Sequence, residues 1–262
     1  MKTMAFIGTG NMGSAIVRAV CQTTEPSEIV IANRSPEKAL QLVEECGCVM
    51  SQSNSACARN AKYVVLGVKP NAVCEVLREI SPVLTDEQII VSMSAGVTSQ
   101  QMRQALGRPN PIIRVLPNMP CAIGKGILLI VPCGEIDEKI VEELRDLFAG
   151  CGMTDITDEA HADAGMVIEG CTPAFTYMFI EALADGAVAM GLSRQQATEW
   201  AAQAVAGAAA MVLEGSKHPE QLKDEVCSPG GTTIQGVRVL EERGFRGAAM
   251  NAVIAACQKN RK

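Results

Sequence analysis

Residues 8–13, GTGNMG, constrain the fold of this 262-residue chain more than any other stretch of its sequence. They follow directly on the short apolar run MAFI at 4–7, and SAIVRAVC continues after them at 14–21 with helical spacing. A strand, a glycine-rich turn and a helix in this order form the context in which a dinucleotide-binding turn occurs. The segment therefore predicts a turn that binds the phosphates of a nucleotide; a glycine turn without a ligand is the alternative.

The three glycines of this turn have different predicted tasks. Gly8 permits the tight turn, Gly10 lets the backbone approach a pyrophosphate, and Gly13 lets the helix pack close to the strand. The N-terminus of the helix has free N–H groups and a partial positive charge, which both favour phosphate. The residues predicted to bind the cofactor here are Ile7, Gly8, Thr9, Gly10, Asn11, Met12 and Gly13.

The end of the next strand, EIVIA at 28–32, indicates which dinucleotide is bound. It falls about 20 residues after the turn, where NAD-binding proteins usually have an Asp or Glu for the ribose hydroxyls. This chain has Asn33, Arg34 and Ser35, which can pair with or hydrogen-bond to a 2′-phosphate. The sequence therefore favours NADP, with NADPH as hydride donor, over NAD as a weaker ligand. A solvated loop arginine is the alternative for Arg34.

Apolar strands and helical segments alternate through the first half of the chain. The predicted strands cover 48–50, 63–68, 89–97, 112–120, 127–132 and 153–156. This alternation is typical of a mainly parallel sheet covered by helices on both faces, which binds its ligands at the carboxyl ends of the strands. We therefore expect an α/β chain whose residues 1–157 form a Rossmann-type, doubly wound, NADP-binding domain.

The second half, 158–262, is predicted to be all α-helical. Its alanine-rich segments cover 173–190, 194–213, 231–242 and 246–259, and Pro173 is expected in a first helical turn. The first two segments carry few charges, and a helix that is apolar on most sides must be buried. A domain of ~100 residues offers little depth for two such helices. The composition therefore predicts dimerisation through this half.

The segment SPGGTT at 228–233 interrupts the helical half. It precedes a helix, whose N-terminus has unpaired backbone N–H groups and a partial positive charge. The glycines allow a small anion to come close, so the segment resembles a seat for a carboxylate with hydroxyls for a polar substrate atom. The alternative is a helix-capping loop, because Ser and Thr are common caps.

The amino-acid composition limits which partners this protein can bind and in which compartment we expect it. The net charge is −6 and no run of Lys or Arg occurs, which excludes a typical nucleic-acid-binding protein. No segment has the ~20 apolar residues of a membrane helix, and the N-terminus does not resemble a signal peptide. Eleven cysteines without a CxxC pair and only two histidines predict reduced thiols, a cytoplasmic location and no metal site.

Several motifs together resemble pyrroline-5-carboxylate reductase. They are GTGNMG, VKP, SAGV, RVLPNMP and HPEQLKDEVCSPGGTTIQGVRVLEERGFRGA, in order over nearly the whole chain. The resemblance implies an N-terminal Rossmann domain and a C-terminal helical dimerisation domain. It also implies reduction of 1-pyrroline-5-carboxylate to L-proline, the last step of proline biosynthesis, in dimers that often assemble further into decamers.

The resemblance implies the remaining site residues. Arg34 and Ser35 match the 2′-phosphate loop, Asn54 resembles a contact on the adenosine side, and Asn118 belongs near the nicotinamide. Further contacts along the cofactor are Gly67, Val68, Lys69, Pro70, Ser94, Ala95 and Gly96. The implied substrate residues are Glu225, Ser228, Gly230, Gly231, Thr232 and Thr233, with Glu225 at a position where the family often has Asn. Thr233 is expected to be the catalytic residue, as the hydrogen-bond partner of the imine nitrogen.

One segment departs from the family pattern. Members usually have Ser-Gly-Ser-Gly-Pro-Ala before the long dimerisation helix, whereas this chain has Glu169-Gly170-Cys171-Thr172-Pro173-Ala174. The departure leaves a second hypothesis open, a reductase of the same build that acts on another imino acid or keto acid. A third hypothesis is a regulatory paralogue that binds NADP without turnover.

Overall fold

The computed structural model describes residues 2–260. Residues 1, 261 and 262, at the ends of the two predicted domains, lie outside the described residues. Within the described part the chain divides into two compact units, residues 2–170 and 171–260. The unit boundary therefore lies after residue 170, whereas the predicted domain boundary lies between residues 157 and 158.

The first unit is built on one eight-stranded sheet. Its strands are β1 (Lys2–Ile7), β2 (Ile29–Ala32), β3 (Val49–Met50), β4 (Ala61–Leu66), β5 (Ile89–Ser92), β6 (Ile112–Pro117), β7 (Gly126–Pro132) and β8 (Gly152–Ile156). They lie in the order β3-β2-β1-β4-β5-β6-β7-β8, and every neighbouring pair is parallel except β6 and β7. The chain leaves β1 toward β2 and returns across it to β4, which is the doubly wound order. The predicted fold class is confirmed.

Helices follow the strands in the first unit and make up most of the second. They are α1 (Asn11–Val20), α2 (Pro36–Cys46), α3 (Asn54–Ala58), α4 (Pro70–Ile80), α5 (Ser99–Leu106), α6 (Glu138–Leu147), α7 (Ala162–Ala189), α8 (Arg194–Glu214), α9 (Pro219–Val226), α10 (Thr232–Glu242) and α11 (Phe245–Asn260). Among residues 2–260, no helix is long and apolar enough to cross a membrane.

The central strands are mostly apolar because both faces of the sheet are covered; Lys2, Lys62 and Arg114 are the charged exceptions in β1, β4 and β6. Along β1, Met4 and Phe6 belong to one buried cluster, whereas Ala5 and Ile7 belong to another. All four side chains are fully buried. Alternate residues of a strand point to opposite faces, so a strand with helices on both sides needs apolar residues at every position. This is why the strands read as continuous apolar runs.

The second unit buries little of its apolar surface within one chain. Among residues 171–260, only Ala184 and Ala197 are buried. Large apolar side chains of α7, α8 and α11 are exposed, and they include Tyr177, Met178, Trp200, Met211, Leu213, Met250 and Ile254. So many exposed large apolar side chains on a few helices are typical of a region that packs against another protein chain.

The expected position of Pro173 in a first helical turn is wrong. Helix α7 begins at Ala162, and Pro173 lies in its interior. Proline has no N–H, so the carbonyl oxygen of Glu169, four residues earlier, loses its helical partner. Asn118 replaces that partner, because its Nδ2 donates a hydrogen bond of 2.9 Å to the Glu169 carbonyl oxygen. A side chain from the end of β6 thus allows α7 to continue through a proline.

This exchange of hydrogen-bond donors can be measured by a double-mutant cycle. Asn118→Ala should lower the free energy of unfolding by ~1–3 kcal/mol, because the buried Glu169 carbonyl loses its donor. In a Pro173→Ala background the cost should be smaller by ~1 kcal/mol, since the restored N–H supplies the helical bond. The four proteins would be unfolded in denaturant at one fixed protein concentration. Costs that add to within ~0.5 kcal/mol would contradict the assignment.

Candidate functional site

The structure brings the predicted cofactor residues of the first unit to one edge of the sheet. The turn 8–10 follows β1, the loop 33–35 follows β2, and 67–70 follow β4. Residues 94–96 follow β5 and Asn118 follows β6. These five strands are adjacent in the sheet, in the order β2-β1-β4-β5-β6, and they are parallel. Their carboxyl ends therefore form one edge, and ligands of such sheets bind at that edge.

Two glycines allow the turn after β1 to pack against its neighbours. The Gly8 carbonyl oxygen lies 2.4 Å from the place that a Cβ would take on Gly13, and 2.3 Å from the corresponding place on Gly67. Gly8 itself has φ of +93°, a conformation that favours glycine. Any side chain at Gly13 or Gly67 would therefore push α1 or the end of β4 away from the turn.

The turn presents polar groups that fit a phosphate. A Cβ on Gly10 would meet nothing within 4 Å, so the space in front of this backbone is open. Helix α1 begins after Gly10 without a side-chain cap and has no acidic residue in its first turn. The Oγ1 atom of Thr9 is buried and has no hydrogen-bond partner among residues 2–260. Free N–H groups, an unpaired hydroxyl and open space are what a bound pyrophosphate requires.

Asn33 joins the two predicted phosphate-binding loops. Its Oδ1 accepts a hydrogen bond of 3.2 Å from the Thr9 N–H, and its Nδ2 donates one of 3.0 Å to the Ser35 carbonyl oxygen. Arg34 is exposed and forms no ion pair within residues 2–260. The guanidinium of Arg34 is therefore available to an anion, beside a loop that Asn33 holds in place.

The structure adds residues that the sequence argument missed. A cavity of about 320 Å³ lies beside the glycine turn and is lined by Thr9, Gly10, Asn11, Ser14, Arg18, Lys38, Gln41 and Leu42. Arg18 is paired with Glu45, whereas Lys38 forms no ion pair within the described chain. Helical spacing of Lys38, Gln41 and Leu42 on α2 was the signal that could have identified this wall.

Other predicted residues of this edge have partners in the first unit. The Ser94 hydroxyl donates a hydrogen bond of 2.8 Å to the Val68 carbonyl oxygen, which joins the ends of β4 and β5. Lys69 is the N-cap of α4, and Pro70 is its first residue. Asn54 begins α3, and its Nδ2 donates a 2.8 Å bond to Glu79. The Ser94 hydrogen bond and the helix start at Lys69 and Pro70 hold this edge of the sheet in place. Asn54 is held by Glu79 at the start of α3.

Asn118 and Glu169 belong to a buried polar cluster at the carboxyl end of β6. Besides binding the Glu169 carbonyl, Asn118 accepts a 3.0 Å hydrogen bond at Oδ1 from the Ile127 N–H. The Cys121 thiol is 3.6 Å from the same Oδ1. Burial raises the pKa of Glu169 to about 8, and the nearby Cys121 thiol acts in the same direction. The carboxyl group is therefore protonated at neutral pH.

In the second unit, the predicted substrate segment leads directly into α10. This helix begins at Thr232, with Gly231 as an N-cap that makes no side-chain cap hydrogen bond. Gly230 has φ of +71°, and a Cβ on Gly231 would lie 2.3 Å from the Ser228 Oγ. The hydroxyls of Thr232 and Thr233 therefore do not cap the helix, and its first N–H groups remain available to an anion.

Ion pairs hold the helices on either side of this segment. Arg246, at the start of α11, pairs with Glu220 of α9 at 2.8 Å and with Glu241 of α10 at 2.6 Å. Hydrogen bonds from Lys223 and Arg246 lower the pKa of Glu220 to about 2. Arg246 thus connects the helix before the segment with the helix after it.

The two residues upstream of the segment have structural partners. His218 caps α9, because its Nδ1 accepts a hydrogen bond of 3.2 Å from the Glu220 N–H. Glu225, a predicted substrate residue, is exposed and pairs with Lys217 at 2.6 Å.

A doubly wound sheet, a glycine turn with open space and an arginine at the end of β2 define a dinucleotide-dependent oxidoreductase. Two family models match the chain. The model described as NADP oxidoreductase coenzyme F420-dependent matches residues 3–96, and the model described as pyrroline-5-carboxylate reductase dimerisation matches residues 159–262.

Known proteins match over the full length. The chain is 39% identical to the pyrroline-5-carboxylate reductase of Escherichia coli strain K12, over all of this chain and 98% of the relative. It is 39% identical to the Pisum sativum enzyme of the same name, over 99% of this chain and 95% of the relative. The chain belongs to the pyrroline-5-carboxylate reductase family, and the resemblance drawn from the sequence is confirmed.

Solved structures of pyrroline-5-carboxylate reductases are similar to this chain over its full length. The pyrroline-5-carboxylate reductase of Coxiella burnetii has a TM-score of 0.93 at 31% identity and covers 99% of this chain and 97% of its own. The pyrroline carboxylate reductase of Plasmodium falciparum, solved with NADP bound, has a TM-score of 0.86 at 31% identity with the same coverage.

Proposed function

We propose that this chain reduces 1-pyrroline-5-carboxylate to L-proline with NADPH, as the last step of proline biosynthesis. The observation that carries the proposal is the full-length match, at 39% identity, to enzymes named for this substrate. Residues 1–157 would bind NADP, and residues 158–262 would supply the dimer contact and the substrate segment.

The cofactor would lie along the carboxyl edge of the sheet. The Gly8–Gly13 turn and the N-terminus of α1 would hold its pyrophosphate, with the Thr9 hydroxyl as a further donor. Arg34 and Ser35 would hold the 2′-phosphate, and Lys38 adds a second positive charge to the same region. The cofactor supplies a hydride when bound. NAD would bind more weakly, since Arg34 would lose its charged partner.

The substrate segment would hold the imino acid by its carboxylate. The N–H groups of Gly230 and Thr232 would bind that group at the start of α10, where the helix dipole favours an anion. The Gly231 N–H, expected as a third donor, already donates a hydrogen bond of 3.0 Å to the Ser228 carbonyl oxygen. The Thr233 hydroxyl would hydrogen-bond to the ring nitrogen. An imine carbon is already electrophilic, more so when its nitrogen is protonated, so most of the rate would come from positioning.

A second candidate remains, a reductase of the same build for another imino acid or keto acid. The buried Glu169 favours it, because this carboxyl replaces a serine of the family pattern. Comparing 1-pyrroline-5-carboxylate with analogues of larger ring size separates the two candidates. An NADP-binding protein without turnover is the third, and a turnover measurement excludes or supports it.

The role of Thr233 is tested by steady-state oxidation of NADPH with 1-pyrroline-5-carboxylate. Thr233→Ala should lower kcat/KM roughly ten- to two-hundredfold, since a hydrogen bond to a charged partner contributes ~1.5–3 kcal/mol. NADPH affinity should stay within about twofold. Thr233→Ser is the matched control and should keep most activity. A wild-type chain without turnover would contradict the proposed function. An active Thr233→Ala variant with an unchanged kcat/KM would contradict only the role of Thr233.

Arg34 should decide the choice of cofactor. Arg34→Asp should reverse the preference for NADPH over NADH, because it removes a charged hydrogen bond of ~1.5–3 kcal/mol and adds repulsion of the 2′-phosphate. Binding of both cofactors would be followed by the fluorescence of the reduced nicotinamide. Arg59→Asp, at an exposed arginine outside this edge, is the control. A variant that still prefers NADPH would show that Arg34 is a solvated loop residue.

The exposed apolar residues of α7 and α8 support a homodimer through the second unit, and the matched dimerisation model supports oligomerisation in the family. Assembly of dimers into decamers belongs to the same proposal. Sedimentation at micromolar concentration should give a dimer or a multiple of it. A stable monomer with full activity would contradict this assembly.

The net charge bears on the remaining partners, and the cysteines bear on the location in the cell. We expect a small-molecule substrate and no nucleic acid, because the net charge is −6. The eleven cysteines form no disulfide within residues 2–260, which supports a cytoplasmic location.

A further inference from the structure

Glu169 is the one carboxylate residue buried within the described part of the chain. Its exposure is 4%, and its Oε2 atom is enclosed without a hydrogen-bond partner among residues 2–260. Burying a carboxyl group without a hydrogen-bond partner costs free energy. Such a group in a native structure calls for a chemical explanation.

The helix and its proline fix where this carboxyl group lies. Ala162 and Met166 of α7 pack on the apolar cluster of β6 and β7, and Glu169 follows them on the same helical face. The Asn118 amide then holds the Glu169 carbonyl oxygen at the carboxyl end of β6. The backbone of Glu169 is therefore held at the edge of the sheet where the predicted cofactor contacts end with Asn118, and its buried carboxyl group lies near the Cys121 thiol.

The surroundings keep this carboxyl group protonated. Cys121 is the titratable group that acts on its charge, and Cys121 in turn is hydrogen-bonded to the Cys151 thiol. The hydrogen bond to Cys121 and burial raise the pKa of Cys151, so that thiol stays neutral. Asn118, whose amide binds the Glu169 backbone carbonyl oxygen, is uncharged. Burial without a cation leaves the pKa of Glu169 at about 8.

We propose that Glu169 is the proton donor to the ring nitrogen of the imine substrate. The inference rests on the proposed function and deepens it, because it assigns the proton to this chain's own carboxyl group. The family pattern given above has serine at this position, so the role is proposed for this chain alone.

The proton and electrons balance in this step. The O–H bond of Glu169 breaks as an N–H bond forms on the imine nitrogen, which leaves a carboxylate beside a cationic iminium. The hydride from the dihydronicotinamide then forms a C–H bond at C5, and the electrons of the C=N double bond become the lone pair on nitrogen. Glu169 regains its proton from water after the product leaves. The carboxylate would stabilise the cation in the meantime.

The test compares wild type and Glu169→Gln between pH 5.5 and 9 with NADPH and 1-pyrroline-5-carboxylate. At pH 7 to 8, kcat/KM of the variant should be ~10²-fold lower, the usual effect of removing a general acid. The difference should shrink as the pH falls, because the substrate then arrives already protonated. Glu169→Asp, which keeps a carboxyl group, should recover part of the loss, and Glu87→Gln, at an exposed carboxylate in the loop before β5, should behave as wild type.

Two readouts do not depend on turnover. NADPH affinity of Glu169→Gln should remain within about twofold of wild type. The unfolded chain releases this proton near its ordinary pKa of 4.5 and the folded chain near 8, so wild-type stability should fall as pH rises between those values. Glu169→Gln should lack that fall. Absence of the fall in wild type would overturn the buried, protonated acid.

The outcomes separate this inference from the proposed function. A wild-type chain that does not reduce 1-pyrroline-5-carboxylate contradicts the function, whereas the stability measurement still tests the state of Glu169. An active wild type with an equally active Glu169→Gln overturns the proton donor. A loss by the same factor at every pH also overturns it, because a packing defect would not depend on the protonation of the substrate.

Discussion

The first unit depends on the close approach of three backbone segments at Gly8. Its carbonyl oxygen lies 2.4 Å from the place of a missing Cβ on Gly13 and 2.3 Å from that on Gly67. Only glycine leaves this space, so both α1 and the residue after β4 can pack against the turn at Gly8. The contact aims the free N–H groups of α1 at the open space in front of Gly10. The binding edge of the sheet follows from this packing and needs no charged residue at the turn itself.

A second constraint comes from one missing N–H. Pro173 removes the helical donor for the Glu169 carbonyl, and Asn118 supplies it from the end of β6. The same residue that was expected near the nicotinamide is thus also the one that anchors α7. This anchor fixes Glu169 in a buried position, so a backbone requirement of the helix places a neutral acid beside the cofactor edge. Family membership accounts for the fold, whereas the buried acid was visible in the sequence only as a departure from the expected family pattern.

Most of the fold could be predicted from the sequence, because strands covered on both faces are apolar throughout and glycine turns have few alternatives. The start of α7 could not be predicted. A proline indicates the first turn of a helix unless another group replaces its missing N–H, and the sequence does not show that Asn118 does so. Asn118 is 55 residues from Pro173, and no local pattern connects them. Lys38 was missed for a related reason: its importance appears only when the cavity beside the turn is formed.

The predicted site residues fall into two groups in physical terms. Those at the strand ends were predictable, because parallel strands end at one edge of the sheet. The proposed substrate segment was noticed by its glycines and hydroxyls, whereas the alternative of a side-chain-capped helix could be examined only in the structure. Gly231 is the N-cap and no side chain caps α10, which leaves both threonine hydroxyls unused within residues 2–260. In the sequence, Glu169 stood out only because it differs from the expected family pattern. Its burial could not be predicted from its residue type alone.

The central claim is direct hydride transfer to an imine carbon at the edge of the sheet that Gly8 and Gly13 shape. The most direct measurement uses NADPH dideuterated at C4 of the dihydronicotinamide, with 1-pyrroline-5-carboxylate in ordinary water. Mass spectrometry and NMR of the product would locate the label. We predict L-proline with one deuterium at C5. Proline without deuterium, or oxidation of NADPH without proline, would contradict the account.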